Sequence, residues 1–145
     1  MLYVRFEPTK TEVVEYIKPY IENKVVYDLG AGNGSFPLAM QKYAKKVVAV
    51  ELDPALASDC RFRGIETIED NFVNVSLDGA EVIYLFLNLM GNYAITKKIQ
   101  EDNWHGTIIS HFYPLMNDIT DFIKPDEVID VNIYGFRAPF LIYKI

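Results

Sequence analysis

Apolar positions along this 145-residue chain change their period several times. Between residues 9 and 22 they recur at helical spacing, through Val13, Val14, Ile17, Tyr20 and Ile21. Thr9 and Glu12 form a capping-box pattern just after Pro8. Pro19 should kink or end that helix late in its course. Residues 24–29, KVVYDL, are a short apolar run with β-branched side chains, which reads as a buried strand. Gly30, Gly32 and Gly34 follow at once, then a helical stretch from about Phe36 to Ala44. Residues 46–51, KVVAVE, read as a second buried strand. Asp53 and Pro54 mark the next helix start, as N-cap and first-turn proline. A short strand over 65–69 ends at Asp70, and 81–88, EVIYLFLN, is a strong strand. The spacing predicts a helix from Asn92 to Asn103 and a strand from Gly106 to Phe112. Two β-rich runs, 127–134 and 137–144, flank Gly135 and predict an antiparallel hairpin.

Strands alternating with helices imply an α/β fold with a mainly parallel sheet covered on both faces. The terminal hairpin adds an antiparallel edge. The length suits one domain over residues 1–145, and half of the residues are hydrophobic, so a real core is expected. The longest apolar runs are too short to span a membrane, and the first residues lack the apolar core of a secretory signal. A lone cysteine, Cys60, excludes an internal disulfide and a cysteine-based zinc site. Two histidines do not make a typical metal site, so no metal is expected. A cytoplasmic protein is expected. The net charge of −6 gives little of the basic face that nucleic-acid binding usually needs.

The informative segment is Asp28-Leu29-Gly30-Ala31-Gly32-Asn33-Gly34, which leaves a strand and opens a helix. In open α/β sheets, ligands bind at the carboxyl ends of the strands. Glu51 ends the next strand, where a carboxylate can accept hydrogen bonds from a ribose diol. Together these point to an adenosine-containing cofactor. The dinucleotide fingerprint G-x-G-x-x-G does not fit, because Gly34 comes one residue early and Ser35 takes the fingerprint's place. Asp28 would sit poorly beside a pyrophosphate and well beside an amine and a sulfonium. That combination selects S-adenosylmethionine and makes a nicotinamide oxidoreductase a poor reading.

The same segment resembles motif I of class I S-adenosylmethionine-dependent methyltransferases, which fold as a Rossmann-like α/β domain. Glu51, in Val-Glu-Leu-Asp, resembles their ribose-binding acid, and Asp70-Asn71 resembles the segment beside the adenine. The resemblance implies that Gly30, Gly32 and Gly34 turn the backbone under the methionyl part. Asp28 would orient the amine and Glu51 the ribose. Leu52 would pack on the adenine, and Asp70, with Asn71 adjacent, would accept from its amino group. A narrower similarity, carried by Glu7-Pro8-Thr9, VVYDLGAGNG, VVAVELD and GTIISHFYPL, is to small archaeal protein-lysine methyltransferases and their mitochondrial lysine-methylating relatives. It implies that the helical segment 1–23, with Thr9, lies over the cofactor and substrate site. Where that family often has Asp-Gly-Arg, this chain has Asn33-Gly34-Ser35. Where it often has Ser-His-Glu-Phe, this chain has Ser110-His111-Phe112-Tyr113.

Asn88 ends the fourth strand, where many amino-methylating enzymes carry Asn-Pro-Pro-Tyr; here it begins Asn88-Leu89-Met90-Gly91. Asn88 and Tyr3 are the candidate catalytic residues, and Tyr84 and His111 are candidates for the pocket rim. The bland readings are a capping role for Thr9 and Asp70 and a core role for Tyr84 and His111. The expected reaction is in-line methyl transfer to a protein lysine side chain, with no metal. A lysine side chain, which ordinarily titrates at about 10.4, must first lose its proton, and an apolar channel favours that loss. A protein substrate is expected and a membrane is not. RNA is disfavoured by the acidic charge. An RNA or small-molecule methyltransferase is the alternative. So is a non-catalytic cofactor-binding subunit of a larger methyltransferase complex, the chain then acting with a partner or as an oligomer.

Overall fold

A computed structural model describes residues 11–133 and 135–145, with the side chain of residue 133 left aside. Tyr3, Thr9 and the Pro8–Thr9 part of the capping-box pattern lie outside the described residues.

Five parallel strands form the body of the sheet: β1 (Val25–Leu29), β2 (Lys46–Val50), β3 (Glu66–Ile68), β4 (Val82–Leu85) and β5 (Thr107–His111). Further along lie β6 (Met116–Asp118), β7 (Asp121–Phe122), β8 (Glu127–Ile129), β9 (Asn132–Ile133), β10 (Phe136–Arg137) and β11 (Phe140–Lys144). The seven-stranded order is β3-β2-β1-β4-β5-β11-β8. The closing strand β11 runs antiparallel to both β5 and β8. The predicted hairpin is thus present as the β8–β11 pair, with β8 at the sheet edge. The segment between them carries the small β9–β10 ladder. The β6–β7 ladder was not expected from the sequence; its three- and two-residue strands are too short for an alternation to register.

The sheet is buried on both faces because alternate residues of its central strands serve different cores. On β4, Val82 and Tyr84 join one apolar cluster and Ile83 and Leu85 the other. On β11, Phe140 and Ile142 face the first while Leu141 and Tyr143 face the second. The first cluster is closed by Val13, Val14 and Ile17 of a 3-10 helix (Thr11–Ile17), by Ile21 of α1 (Lys18–Ile21) and by Phe36 and Met40 of α2 (Ser35–Gln41). The second is closed by Ile95 and Ile99 of α4 (Leu89–Glu101). The helix α3 (Pro54–Phe62) covers a smaller cluster of Ala31, Ala49, Cys60 and Ile65.

Several boundaries shift from the expected ones. The single helix over 9–22 is instead a 3-10 stretch followed by one α-helical turn, with Pro19 in that first turn. Proline lacks the N–H that would bond back to residue 15, so a continuous α-helix breaks ahead of it, and the first turn is where it is tolerated. The strand predicted over 81–88 stops at Leu85, opposite Leu29, where its neighbour β1 also ends. The helix predicted from Asn92 begins at Leu89, with Asn88 as its cap. Gly91 interrupts the helical pattern in the sequence and hid the first turn.

His111, a candidate for the pocket rim, is only 1% exposed. Its ring lies 4.7 Å from that of Phe86 and 4.5 Å from that of Phe140, and its Nε2 is 3.0 Å from the Ala138 carbonyl. Desolvation pushes its pKa down from 6.5 to about 4, against a smaller opposing effect of the Ala138 carbonyl. An unfolded histidine binds its proton near pH 6.5, and the folded one does so only near 4. The unfolded state therefore carries more protons in that window, and stability falls as pH drops from about 6.5 to about 4. Urea unfolding at both ends of the window should show a smaller acid loss in His111→Phe than in the wild type.

Candidate functional site

Because β1 to β4 are parallel, the residues that follow them meet at one end of the sheet. Asp28 lies at the end of β1, Glu51 and Leu52 follow β2, Asp70 and Asn71 follow β3, and Asn88 follows β4. The turn Gly30–Gly34 joins β1 to α2 at the same end. The described cofactor-binding candidates and Asn88 are gathered there.

The glycine turn is docked on the end of β2. The Gly30 and Ala31 amides donate to the Val50 carbonyl at 2.8 and 3.0 Å. The Gly32 amide donates to Glu51 Oε1 at 2.8 Å, and the Asp53 amide to Oε2 at 2.9 Å. Glu51 is thus held by backbone on both oxygens, and each retains a lone pair for another donor. Two side chains of α3 and its C-terminus hold the turn from behind: Cys60 Sγ donates to the Gly32 carbonyl at 3.3 Å and Arg63 Nε to the Asn33 carbonyl at 3.0 Å. Burial raises the Cys60 pKa to about 11, which keeps it a thiol able to donate. Neither residue was a candidate in the sequence, where nothing links a helix 30 residues downstream to the turn.

The backbone of the turn favours glycine at all three positions, with φ of +88° at Gly30, +62° at Gly32 and +89° at Gly34. Gly34, the N-cap of α2, has a φ of +89°, and a Cβ there would stand 3.1 Å from Cys60 Cα. At Gly30 a Cβ would stand 2.8 Å from Leu87 Cδ2, in the loop after β4. At Gly32 the space is open: a Cβ on it would meet nothing within 4 Å.

Asp28 is 2% exposed. Burial, and then the negative charge of nearby Glu51, raise its pKa well above the usual carboxylate range. A cation beside such a buried carboxyl would stabilise it as an anion. This donor set suits S-adenosylmethionine: a carboxyl for an ammonium, a carboxylate with spare lone pairs for a diol, and an open glycine face for close approach.

The remaining candidates are less enclosed. Leu52 is 63% exposed beside Glu51. Asp70 is exposed, and its Oδ1 accepts from the Asn71 amide at 2.6 Å and from Asn74 Nδ2 at 3.2 Å. The cap of the following 3-10 turn (Phe72–Asn74) is Asn71 rather than Asp70, accepting from the Val73 amide at 3.2 Å. Asn88 is exposed, and its Oδ1 accepts from the Gly91 amide at 2.8 Å as the cap of α4. Its amide nitrogen remains for other work. Tyr84 is buried and stacks on Phe36 at 4.7 Å, in the first core rather than at a rim.

No family model matches the chain. A carboxy-S-adenosyl-L-methionine synthase of Hamiltonella defensa is 30% identical over 87 residues, covering 51% of this chain. The chain spans about a third of the length of that relative (33%). Among solved structures, an RNA methyltransferase of Salinibacter ruber in complex with S-adenosyl-L-homocysteine superposes with a TM-score of 0.74 at 20% identity, over 98% of this chain and 94% of that one. A tRNA methyltransferase of Bacillus subtilis gives 0.67 at 12% identity, over 95% and 67%. With the sheet order and the glycine turn, these likenesses establish that the chain has the Rossmann-like α/β fold of the class I S-adenosylmethionine-dependent methyltransferases.

Proposed function

We propose that this chain binds S-adenosylmethionine and transfers its methyl group to a macromolecule. The observation that carries the reading is the buried carboxyl of Asp28 beside Glu51, at the foot of a three-glycine turn at the carboxyl end of a parallel sheet. The chemistry supplied on binding is a methyl activated on a sulfonium. Asp28 would hold the cofactor's ammonium, and Glu51, fixed by the Gly32 and Asp53 amides, would accept from its ribose. Leu52, Asp70 and Asn71 would border the adenine. The protein's part is then orientation and exclusion of water, which alone is worth several kcal/mol in a displacement.

For the target we put RNA first. The support is that fold neighbours from Salinibacter ruber and Bacillus subtilis are named as methyltransferases of RNA and tRNA. Protein lysine is the second reading. It is favoured by the net charge of −6, which repels a polyanion, and by the motif similarity to small lysine methyltransferases. Incubation with methyl-labelled S-adenosylmethionine and separate total-RNA and total-protein preparations distinguishes them. Ribonuclease-sensitive label supports the first reading and methyl-lysine the second. Tight cofactor binding with no label in either fraction would favour a non-catalytic subunit.

Two binding measurements probe the cofactor site. A bound ammonium draws Asp28 back toward its ordinary pKa, so binding releases a proton and affinity rises with pH from the acid side toward neutrality. Calorimetry in buffers of different ionisation enthalpy should register that proton, and Asp28→Asn should abolish it. Glu51→Gln leaves one backbone amide without its carboxylate and weakens the ribose contact. Its dissociation constant for S-adenosylmethionine should rise by roughly tenfold or more.

A further inference from the structure

The backbone and the residue type disagree at one place near the site. Phe112 directly follows β5, at the sheet end that carries Asp28, Glu51 and Asn88, and its φ is +72°. The Tyr113 amide donates to the His111 carbonyl at 2.9 Å, so His111-Phe112-Tyr113 is a γ-turn of the rare positive-φ kind. The other non-glycine residues with positive φ among those described are Asn23 and Asn103, and asparagine tolerates that region. A bulky aromatic residue does not. Nor is the strain offset by burying the ring, since Phe112 is 46% exposed.

The surroundings hold the turn in place from three sides. The Phe112 amide donates to the Pro139 carbonyl at 2.8 Å. The Tyr113 carbonyl accepts from Ser110 Oγ at 2.5 Å. Asn92 of α4, fully buried, sets its Nδ2 2.9 Å from the Tyr113 carbonyl and 2.9 Å from the Pro114 carbonyl. In doing so it leaves its own Oδ1 buried with no partner among the described residues. An unsatisfied buried oxygen and a strained aromatic residue are two costs borne by one loop, and strain of this kind persists only where the structure over-determines it. Glycine at position 112 would relieve it.

We propose that Phe112 is a substrate-positioning residue: the clamped γ-turn presents its ring, edge-on to Tyr113 at 4.8 Å, as the apolar face against which the methyl-accepting group is set. This rests on the methyltransferase reading above. The ring gives the acceptor a fixed wall beside the end of β5, and the clamp through Asn92 ties that wall to α4, the helix that Asn88 caps.

The test compares wild type, Phe112→Gly and Phe112→Tyr in three measurements. These are melting temperature, calorimetric affinity for S-adenosylmethionine, and labelled methyl transfer to total RNA and total protein from cells lacking the gene. Phe112→Gly should melt at or above the wild-type temperature and bind S-adenosylmethionine with unchanged affinity. Its transfer to the fraction that the wild type labels should fall by roughly tenfold to a hundredfold, chiefly as a raised KM for the acceptor. Phe112→Tyr should keep most of the transfer. Wild-type transfer by Phe112→Gly, or a lowered melting temperature with lost cofactor affinity, would overturn the role given to Phe112. A wild type that binds no S-adenosylmethionine, or binds it and labels neither fraction, would instead overturn the methyltransferase reading itself.

Discussion

The docking of the Gly30–Gly34 turn onto the end of β2 is the constraint on which the site depends. Four backbone amides converge there: Gly30 and Ala31 on the Val50 carbonyl, and Gly32 and Asp53 on the Glu51 carboxylate. One carboxylate therefore joins the turn before α2 to the turn before α3. Burial raises the pKa of Asp28, and the charge of this nearby carboxylate raises it further. The electrostatic tension between two carboxyls is built into the same contacts that shape the turn. A positive charge placed beside the pair would relax that tension.

That arrangement needs the rest of the fold. The turn can lie on β2 only because β1 and β2 are parallel neighbours with Leu29 opposite Val50. Cys60 and Arg63 satisfy carbonyls of the turn, and Gly34 lets α3 approach it to within contact of Cys60 Cα. Beyond β4, Leu87 fills the space over Gly30. The helix α3 thus both covers the sheet and contributes to the shape of its carboxyl end. Core packing and site geometry are one set of contacts rather than two.

Several candidate residues have fold roles that would leave them free to serve a ligand as well. Asn88 caps α4 with its carbonyl oxygen and keeps its amide nitrogen. Glu51 staples the turn with both oxygens and keeps a lone pair on each. Asn71 caps a 3-10 turn at the end of β3. For such residues a structural role and a binding role are not rivals, because the hydrogen bond that fixes the side chain is what pre-orients its remaining valence.

By itself the sequence determined the order of the elements from β1 to β5, the glycine turn and the acids at the ends of β1 and β2, because these are written in local periodicity and short spacing. KVVYDL and KVVAVE carry their strand character within six residues, and Asp53-Pro54 announces its helix directly. Only the tertiary structure decided the rest. It made His111 a core residue between Phe86 and Phe140, ended β4 at Leu85 where β1 ends beside it, and placed β11 between β5 and β8. It also brought Asn92, Ser110 and Pro139 around Phe112. The physical reason is range. Helix and strand periods, caps and turns are set by neighbours a few residues apart, whereas desolvation, strain and a hydrogen bond across 18 or 27 residues exist only once the chain has folded.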